Sequence, residues 1–92
     1  MNLIRLLKKY PRDVPIIITW RDAFDGSDDI TYESFKSTKI KEVIYDTVGF
    51  NIGVKDNYAV VAYNKENDGK SYKGVGHIPI SLIINIRRFS DE

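Results

Sequence analysis

The stretch KIKEVIYDTVGFNIGV, residues 39–54, decides the fold of this chain. Apolar side chains occupy every even position from Val48 to Val54, which is the period-2 pattern of a β-strand. From Val43 to Thr47 the odd positions continue the pattern instead. Because alternate residues of a strand face opposite sides, this change of parity predicts a bulge or sharp bend near residues 46–49, where Gly49 supplies the backbone freedom.

Three further strands are predicted downstream of this stretch. They occupy runs of alternating apolar residues at 58–64, 70–78 and 82–89. Lys55-Asp56-Asn57 predicts a tight turn before the first of these strands, and the Asp-Gly pair within residues 65–69 predicts the next turn. The segment Ile78-Pro79-Ile80-Ser81 breaks the pattern before the last strand, because proline cannot donate to a sheet ladder.

The residues before position 39 predict a helix, one strand and a long loop. Residues 2–9 place four aliphatic side chains at i, i+3 and i+4 spacing, and Pro11 ends the helix near Tyr10. So short a helix is not stable alone, and we expect its leucine face to dock on the sheet. Residues 14–20 are apolar at both parities and predict a strand that is covered on both faces. The polar residues 22–37 predict a loop.

Together these elements predict one domain, residues 1–92, of the mainly β class. A short N-terminal helix within residues 1–10 precedes a small, five-stranded, strongly bent antiparallel barrel over residues 14–89. Because a short chain needs its large apolar groups inside, we expect Phe50, Ile52 and Ile84 to face the interior. Trp20, Phe24 and Tyr45 are interpreted as core partners of Phe50, the alternative being an exposed recognition patch.

The segment Gly76-His77-Ile78-Pro79 leads to the apolar residues 82–86. It resembles the junction between the last two strands of the Sm-like small barrels. The order of helix, bent strand, hairpin, strand, Ile-Pro turn and final strand is similar over most of the chain. RNA-binding Sm proteins use an Asp-x-x-Asn-type loop and a late Arg-Gly pair. This chain has Gly76-His77 at the position of the Arg-Gly pair, so the resemblance does not imply an RNA-binding pocket here.

A second resemblance is to short uncharacterised proteins of phages and mobile elements. These show a strand ending in W-x-D, a V-G-aromatic strand and an I-P-x-x-x-I close. This chain carries Trp20-Arg21-Asp22, Val48-Gly49-Phe50 and the run from Ile78 to Ile83. Asn51 departs from the apolar residue expected after the aromatic one. The resemblance implies an origin and leaves the activity open.

Composition argues against a membrane location. The chain has no cysteine, a net charge of +1 and a hydrophobic fraction of 42%, so no disulfide holds the fold and no thiolate is available. The longest apolar runs are the length of strands and far too short to span a bilayer. These features predict a cytoplasmic protein, in the host cytoplasm if a phage encodes it.

We expect no enzymatic activity, no cofactor and no metal site. His77 is the only histidine and there is no cysteine, which removes most imidazole chemistry and leaves zinc without a ligand set. The acidic run 25–29 matches the first alternate positions of a calcium loop. Ile30 and Lys36, however, stand where that loop needs glycine and glutamate.

Two surfaces are candidate binding sites. Residues 13–35 carry six acids and one base, hence −5, and this excess predicts a protein-binding surface at Asp22, Asp25, Asp28, Asp29 and Glu33. Basic residues interleaved with aromatics, which suit stacking and phosphate contact, predict a nucleic-acid-binding surface at Tyr63, Lys65, Lys70, Tyr72, Lys73, Arg87 and Arg88.

The favoured function is that of a non-enzymatic binding module of phage or mobile-element origin that presents a protein-interaction surface and modulates a host factor. Protein is favoured over nucleic acid because the net charge is too small for strong phosphate affinity. An Sm-like binder of single-stranded nucleic acid and a structural or assembly component of a virion are the alternatives. Exposed sheet edges also predict self-association into a homo-oligomer.

Overall fold

The computed structural model describes residues 3–23, 31–37 and 42–89. Within them lie two helices, five strands and one turn of 3₁₀ helix. In chain order these are α1 (Leu3–Lys9), β1 (Pro15–Ala23), α2 (Tyr32–Ser37), β2 (Glu42–Lys55), β3 (Tyr58–Lys65), β4 (Tyr72–Pro79), the 3₁₀ turn (Ile80–Leu82) and β5 (Ile83–Arg88). The mainly β class with a short N-terminal helix is therefore confirmed.

The five strands form one antiparallel sheet in the order β4-β3-β2-β1-β5. β4 and β5 are the two edge strands, and the described residues show no pairing between them. The sheet is therefore not closed, and the predicted barrel is not confirmed. No helix in the described ranges is long and apolar enough to cross a bilayer.

The long strand β2 pairs with β1 along its first part and with β3 along its last part. Its first part, from Glu42 to Phe50, pairs with β1, and its last part, from Phe50 to Lys55, pairs with β3. A bulge between Asn51 and Gly53 separates the ladder into two sections, and Gly53 has φ +147°. A bulge or sharp bend was predicted near residues 46–49. The register with β1 has no shift there, and the bulge lies a few residues later, between Asn51 and Gly53.

Gly49 has a different role from the one that the sequence indicated. A Cβ at this position would lie 3.0 Å from the carbonyl oxygen of Ala62 and 3.2 Å from the Cβ of Val61. Glycine is therefore required because β3 approaches closely, and the register with β1 is unbroken at this residue.

Helix α1 covers one face of the sheet, as its amphipathic pattern predicted. Leu7 is buried, and Leu3 and Leu6 pack half-buried beside it. The buried cluster beneath the helix draws one or more residues from most strands of the sheet: Ile16, Ile18, Ala59, Val61, Ile78, Ile83 and Ile86. Ile16 and Ile18 of β1 are fully buried, whereas Ile17 between them is half-buried. β1 lies between β2 and β5 in the sheet.

Several large side chains are less buried than predicted. Ile84 is 40% exposed because it is an extra residue in β5, unmatched on β1 between the Thr19–Asn85 and Trp20–Ile83 pairs. This bulge turns Ile83 inward and leaves Ile84 outside. Phe50 and Ile52 are half-buried.

The aromatic group around Trp20 is divided between the core and the surface. Trp20 is half-buried and packs against the core, whereas Tyr45 is 45% exposed. The two rings lie 5.2 Å apart and tilted by 32°. The prediction that these aromatics lie in the core is therefore wrong for Tyr45, and Phe24 lies outside the described residues.

The interval predicted as a polar loop contains two pieces of regular structure. β1 continues to Ala23, and α2 spans Tyr32–Ser37. The Oγ of Thr31 accepts from the Ser34 N–H at 3.1 Å, and the Oγ of Ser34 accepts from the Thr31 N–H at the same distance. This is the reciprocal hydrogen bonding of a capping box, with serine in the place usually taken by glutamate or glutamine.

Candidate functional site

The end of the β1–β2 hairpin projects beyond its neighbours as a two-stranded ribbon. The ladder between β1 and β2 continues to the pair Ala23–Glu42. β5 stops pairing with β1 at Trp20, and β3 does not pair with β2 before Phe50. We define the β1–β2 ribbon as residues 20–23 and 42–48. In the described part of the sheet, β5 pairs with its residue Trp20 only, and no strand pairs with residues 42–48 on the side away from β1.

Exposed apolar side chains are concentrated on this ribbon. Ile44 is 60% exposed, and the other three exposed members are Val43, Tyr45 and Val48. β-branched and aromatic residues of this size are usually found inside small domains, and a contiguous group of them at the surface is typical of an interaction site. They also lie on both faces, since Val43 and Tyr45 share one face and Ile44 and Val48 share the other.

Polar contacts across the strands hold the base of the ribbon in shape. The indole N–H of Trp20 donates to Thr47 Oγ1 at 2.8 Å, and the hydroxyl of Thr19 donates to Asp46 Oδ1 at 2.6 Å. From β5, Arg87 donates to Thr19 Oγ1 at 3.3 Å and lies 4.0 Å from Asp46 Oδ2. The ribbon is thus a preformed surface, and a ligand does not need to order it first.

Only part of the predicted acidic surface lies in the described residues. Asp22 is exposed on the ribbon, where it pairs with Val43. Glu33 is exposed on α2 and lies 3.5 Å from Lys36. The remaining predicted residues, Asp25, Asp28 and Asp29, lie outside the described residues, so the joint acidic surface stays a prediction.

The predicted nucleic-acid surface is divided between opposite edges of the sheet. Tyr63, Lys65, Lys70, Tyr72 and Lys73 belong to the β3–β4 hairpin, whereas Arg87 and Arg88 belong to β5. β5 and β4 are separated by the three central strands of the open sheet. The sheet order therefore does not place the two basic groups side by side.

Several of these predicted residues are used inside the fold. Arg87 contacts Asp46 and Thr19, as described above. The Nζ of Lys65 lies 5.2 Å from the centre of the Phe50 ring, a cation–π contact. Tyr63 is 54% exposed, and its ring lies beside β4, where a Cβ at Gly74 would be 3.1 Å from Tyr63 Cδ2.

Tyr72 connects the start of β4 to the loop between α1 and β1. Its hydroxyl donates to Asp13 Oδ1 at 2.6 Å. That hydrogen bond, followed by desolvation, raises the pKa of Tyr72 above its ordinary value of 10.0, and the nearby Arg12 opposes the shift. Because the protonated phenol is the donor, this contact holds Tyr72 in the fold and removes its hydroxyl from the predicted nucleic-acid surface.

A Tyr72→Phe variant should show how this contact depends on pH. The folded-state pKa is raised, so the contribution of Tyr72 to stability is fully present below pH 10.0 and is lost as the pH rises through the raised value. We expect the wild-type chain to be more stable than Tyr72→Phe at about pH 8 and the difference to narrow at about pH 11. Urea unfolding of both chains checks this, and a difference that is constant over the same range would contradict it.

A shallow groove of about 580 Å³ lies between the β2–β3 turn and the 3₁₀ turn, and it was not predicted. Asp56 and Asn57 form the first turn with φ values of 50° and 66°, and the Ile80 N–H donates to the Asn57 carbonyl oxygen at 3.0 Å. Tyr58 and His77 meet edge to face nearby, with ring centres 6.3 Å apart. The titratable side chains at this groove, Asp56, Tyr58 and His77, are all exposed.

Three exposed residues of the ribbon, Val43, Ile44 and Val48, were not among the predicted binding residues, because binding surfaces were predicted from charged and aromatic residues. Val43-Ile44-Tyr45 is apolar at three consecutive positions, so one of its two faces had to carry apolar groups outward unless a second layer covered it. The sequence therefore contained a signal for exposed apolar residues. It contained no signal that residues 42–48 of β2 would have a paired strand on one side only.

Comparison with known proteins identifies no relative. The sequence matches no family model, and neither a curated protein nor a solved structure is similar to it at a significant level. Among the residues that the structure describes, no group of three or more histidine, aspartate or glutamate side chains is placed to hold a metal ion.

Proposed function

We propose that this chain is a non-enzymatic protein-binding module that contacts its partner through the β1–β2 ribbon. The observation that carries the proposal is the group of exposed apolar side chains on β2, led by Ile44 at 60% exposure. Interfaces use such groups as anchors, because their burial on binding releases apolar surface from water.

The charges near the ribbon favour a protein partner over nucleic acid. The ribbon contains three acids, Asp22, Glu42 and Asp46, and one base, Arg21. Arg87 of β5 approaches Asp46 and is partly neutralised by it. Phosphate binding requires a run of basic groups on one surface, and the ribbon has an excess of acids instead.

We further propose the Sm-like fold and the phage or mobile-element origin that the sequence resemblances implied. Three features support the fold: α1 lies across the sheet, β2 bends between two partners, and a 3₁₀ turn at Ile80–Leu82 joins β4 to β5. We also propose that the chain modulates a host factor and that it acts in the cytoplasm. The proposal also includes formation of a homo-oligomer, in which copies of the chain pair through their edge strands.

The proposal predicts that Ile44→Lys abolishes partner binding and that Ile84→Lys does not. Both isoleucines are exposed on strands, so both variants should fold, but only Ile44 lies on the ribbon. Burying a lysine in an apolar contact should reduce recovery of the partner by about tenfold or more. The measurement is affinity purification of each tagged chain from cells in which it is naturally expressed, with quantitative mass spectrometry of the recovered proteins.

Nuclease treatment during the purification distinguishes protein binding from the alternative function, nucleic-acid binding. Recovery that is equal for the wild-type chain and both variants would contradict the role of the ribbon. Recovery that disappears after nuclease treatment, or after replacement of Lys65, Lys70 and Lys73 by alanine, would instead support a nucleic-acid binder.

A further inference from the structure

The backbone of β2 has a free edge. The Asn51 N–H donates to the Val14 carbonyl oxygen at 2.9 Å, and the Asp13 N–H donates to the Asn51 carbonyl oxygen at 2.7 Å, so Asn51 directs its backbone groups toward β1 and the residues before it. The register with β1 is unbroken back to residue 42, and backbone groups alternate in direction along a strand. Between Val43 and Gly49, the residues that direct their N–H and C=O groups away from β1 are therefore Ile44, Asp46 and Val48.

No described strand pairs with these groups. The ladder to β3 begins only at Phe50, which has the same backbone direction. We call the side of residues 42–48 that faces away from β1 the free β2 edge. Six backbone hydrogen-bonding groups, two on each of the three residues named above, are available there to an added strand.

The two edge strands of the sheet, β4 and β5, carry features that discourage strand addition. On β4, Gly74 has φ +68° and interrupts the ladder to β3, and Pro79 lacks an N–H. On β5, Ile84 forms a bulge and Arg87 and Arg88 add charge. Proline, bulges and basic residues are the usual protection of natural edge strands.

The free β2 edge has none of these features. Its sequence, EVIYDTV, contains no proline, glycine, lysine or arginine, and the bulge of β2 lies beyond it, between Asn51 and Gly53. An unprotected edge that is rich in β-branched residues is a template for another strand.

We propose that the free β2 edge binds an extended segment of the partner protein by strand addition, and that this segment alternates apolar residues with lysine or arginine. This inference rests on the proposed function and specifies its mode of contact. Main-chain hydrogen bonds to Ile44, Asp46 and Val48 hold the segment, and its alternate side chains meet the exposed apolar groups on each face.

The charge of the ribbon favours a basic segment of a partner protein over a second copy of this chain. The ribbon carries three acids, Asp22, Glu42 and Asp46, against one base, Arg21, so its net charge is negative. Two copies paired through this edge would bring together two surfaces of the same net charge, which disfavours their association. A basic segment gains from the same charges.

The test uses a synthetic eight-residue peptide that alternates valine with lysine, labelled with fluorescein, and a matched peptide that alternates valine with glutamate. Fluorescence anisotropy should show saturable binding of the lysine peptide to the wild-type chain, about tenfold tighter than that of the glutamate peptide. On binding, hydrogen exchange followed by NMR should slow at the amides of Ile44, Asp46 and Val48.

Two variants separate backbone contact from side-chain contact. Ile44→Ala removes the side chain and retains the N–H, whereas Ile44→Pro also removes the N–H, which β1 does not use. We expect Ile44→Pro to weaken peptide binding about tenfold more than Ile44→Ala does. If circular dichroism shows that Ile44→Pro is unfolded, a chemically synthesised chain with an ester in place of the Ile44 amide removes the same donor.

Each contrary result identifies its own cause. Equal loss of peptide and natural partner in Ile44→Ala and Ile44→Pro would overturn strand addition while leaving the protein-binding function in place. Protection of amides on β4 or β5 would also overturn it. A doubled molar mass of the free chain with protected Ile44, Asp46 and Val48 amides would assign the edge to a second copy and overturn the basic segment. Natural-partner binding that survives Ile44→Lys contradicts the function itself.

Discussion

A Leu7→Ala variant is expected to lose about 3 kcal/mol of unfolding free energy. Leu7 is 1% exposed and is the only buried residue of α1, so its side chain is the main apolar link between the helix and the sheet. Removing it leaves a cavity that a single short helix cannot close by moving, because Leu3 and Leu6 on the same face also pack against the core. For a chain of this length, 3 kcal/mol is about a third of a typical total stability.

Urea unfolding followed by far-UV circular dichroism measures this loss. Lys9→Ala in the same helix serves as the control, since Lys9 is exposed and alanine preserves helix propensity. We expect the control to stay within about 0.5 kcal/mol of the wild-type chain. A Leu7→Ala chain as stable as the control would mean that α1 does not contribute to the core.

An Asn51→Asp variant is expected to be destabilised by about 3 kcal/mol or more. Asn51 is 2% exposed, and its Nδ2 donates to the carbonyl oxygens of Tyr10 and Pro11 at 3.0 and 3.3 Å. Aspartate at this position loses both donors and brings a buried negative charge toward two carbonyl oxygens. Asn51→Ala, which removes the donors without adding charge, should cost about 2 kcal/mol.

The pH dependence distinguishes the charge from the shape of the side chain. A protonated aspartic acid can donate one hydrogen bond, so lowering the pH should restore part of the stability of Asn51→Asp relative to Asn51→Ala. Asn64→Asp on the exposed part of β3 is the matched control and should change stability little. Urea midpoints at several pH values supply the comparison, and equal costs for Asn51→Asp and Asn64→Asp would refute the assigned role.

The helix, the strands and their order along the chain could be predicted because their signals are local. The leucine spacing before Pro11, the turn at Asp56–Asn57 and the break at Pro79 each depend on a few neighbouring residues. The position of the bend in β2 could not be predicted in the same way. Gly49 and Gly53 both suggest a bend, and only the approach of β3 decides that Gly49 is a close contact and Gly53 belongs to the bulge.

The candidate site was harder to predict because it depends on the absence of a paired strand beside residues 42–48 in the described part of the sheet. Asp22 was included among the predicted binding residues and lies on the ribbon, but Ile44 was not selected. Alternation in sequence shows which residues share a face, and it does not show where the neighbouring strand ends. Asn51 illustrates the same limit, since an unexpected polar residue in a strand is explained only by carbonyl oxygens some 40 positions away.

The indole beside the free β2 edge gives the molecule an intrinsic optical reporter. Trp20 is the only tryptophan in the chain, and it contacts Tyr45 and Thr47 on the strand that offers the edge. A ligand that covers Tyr45 alters the polarity around the half-buried ring. The emission maximum and quenching of this single fluorophore therefore follow occupancy of the edge in the unlabelled protein, and ligands can be screened by titration in a cuvette.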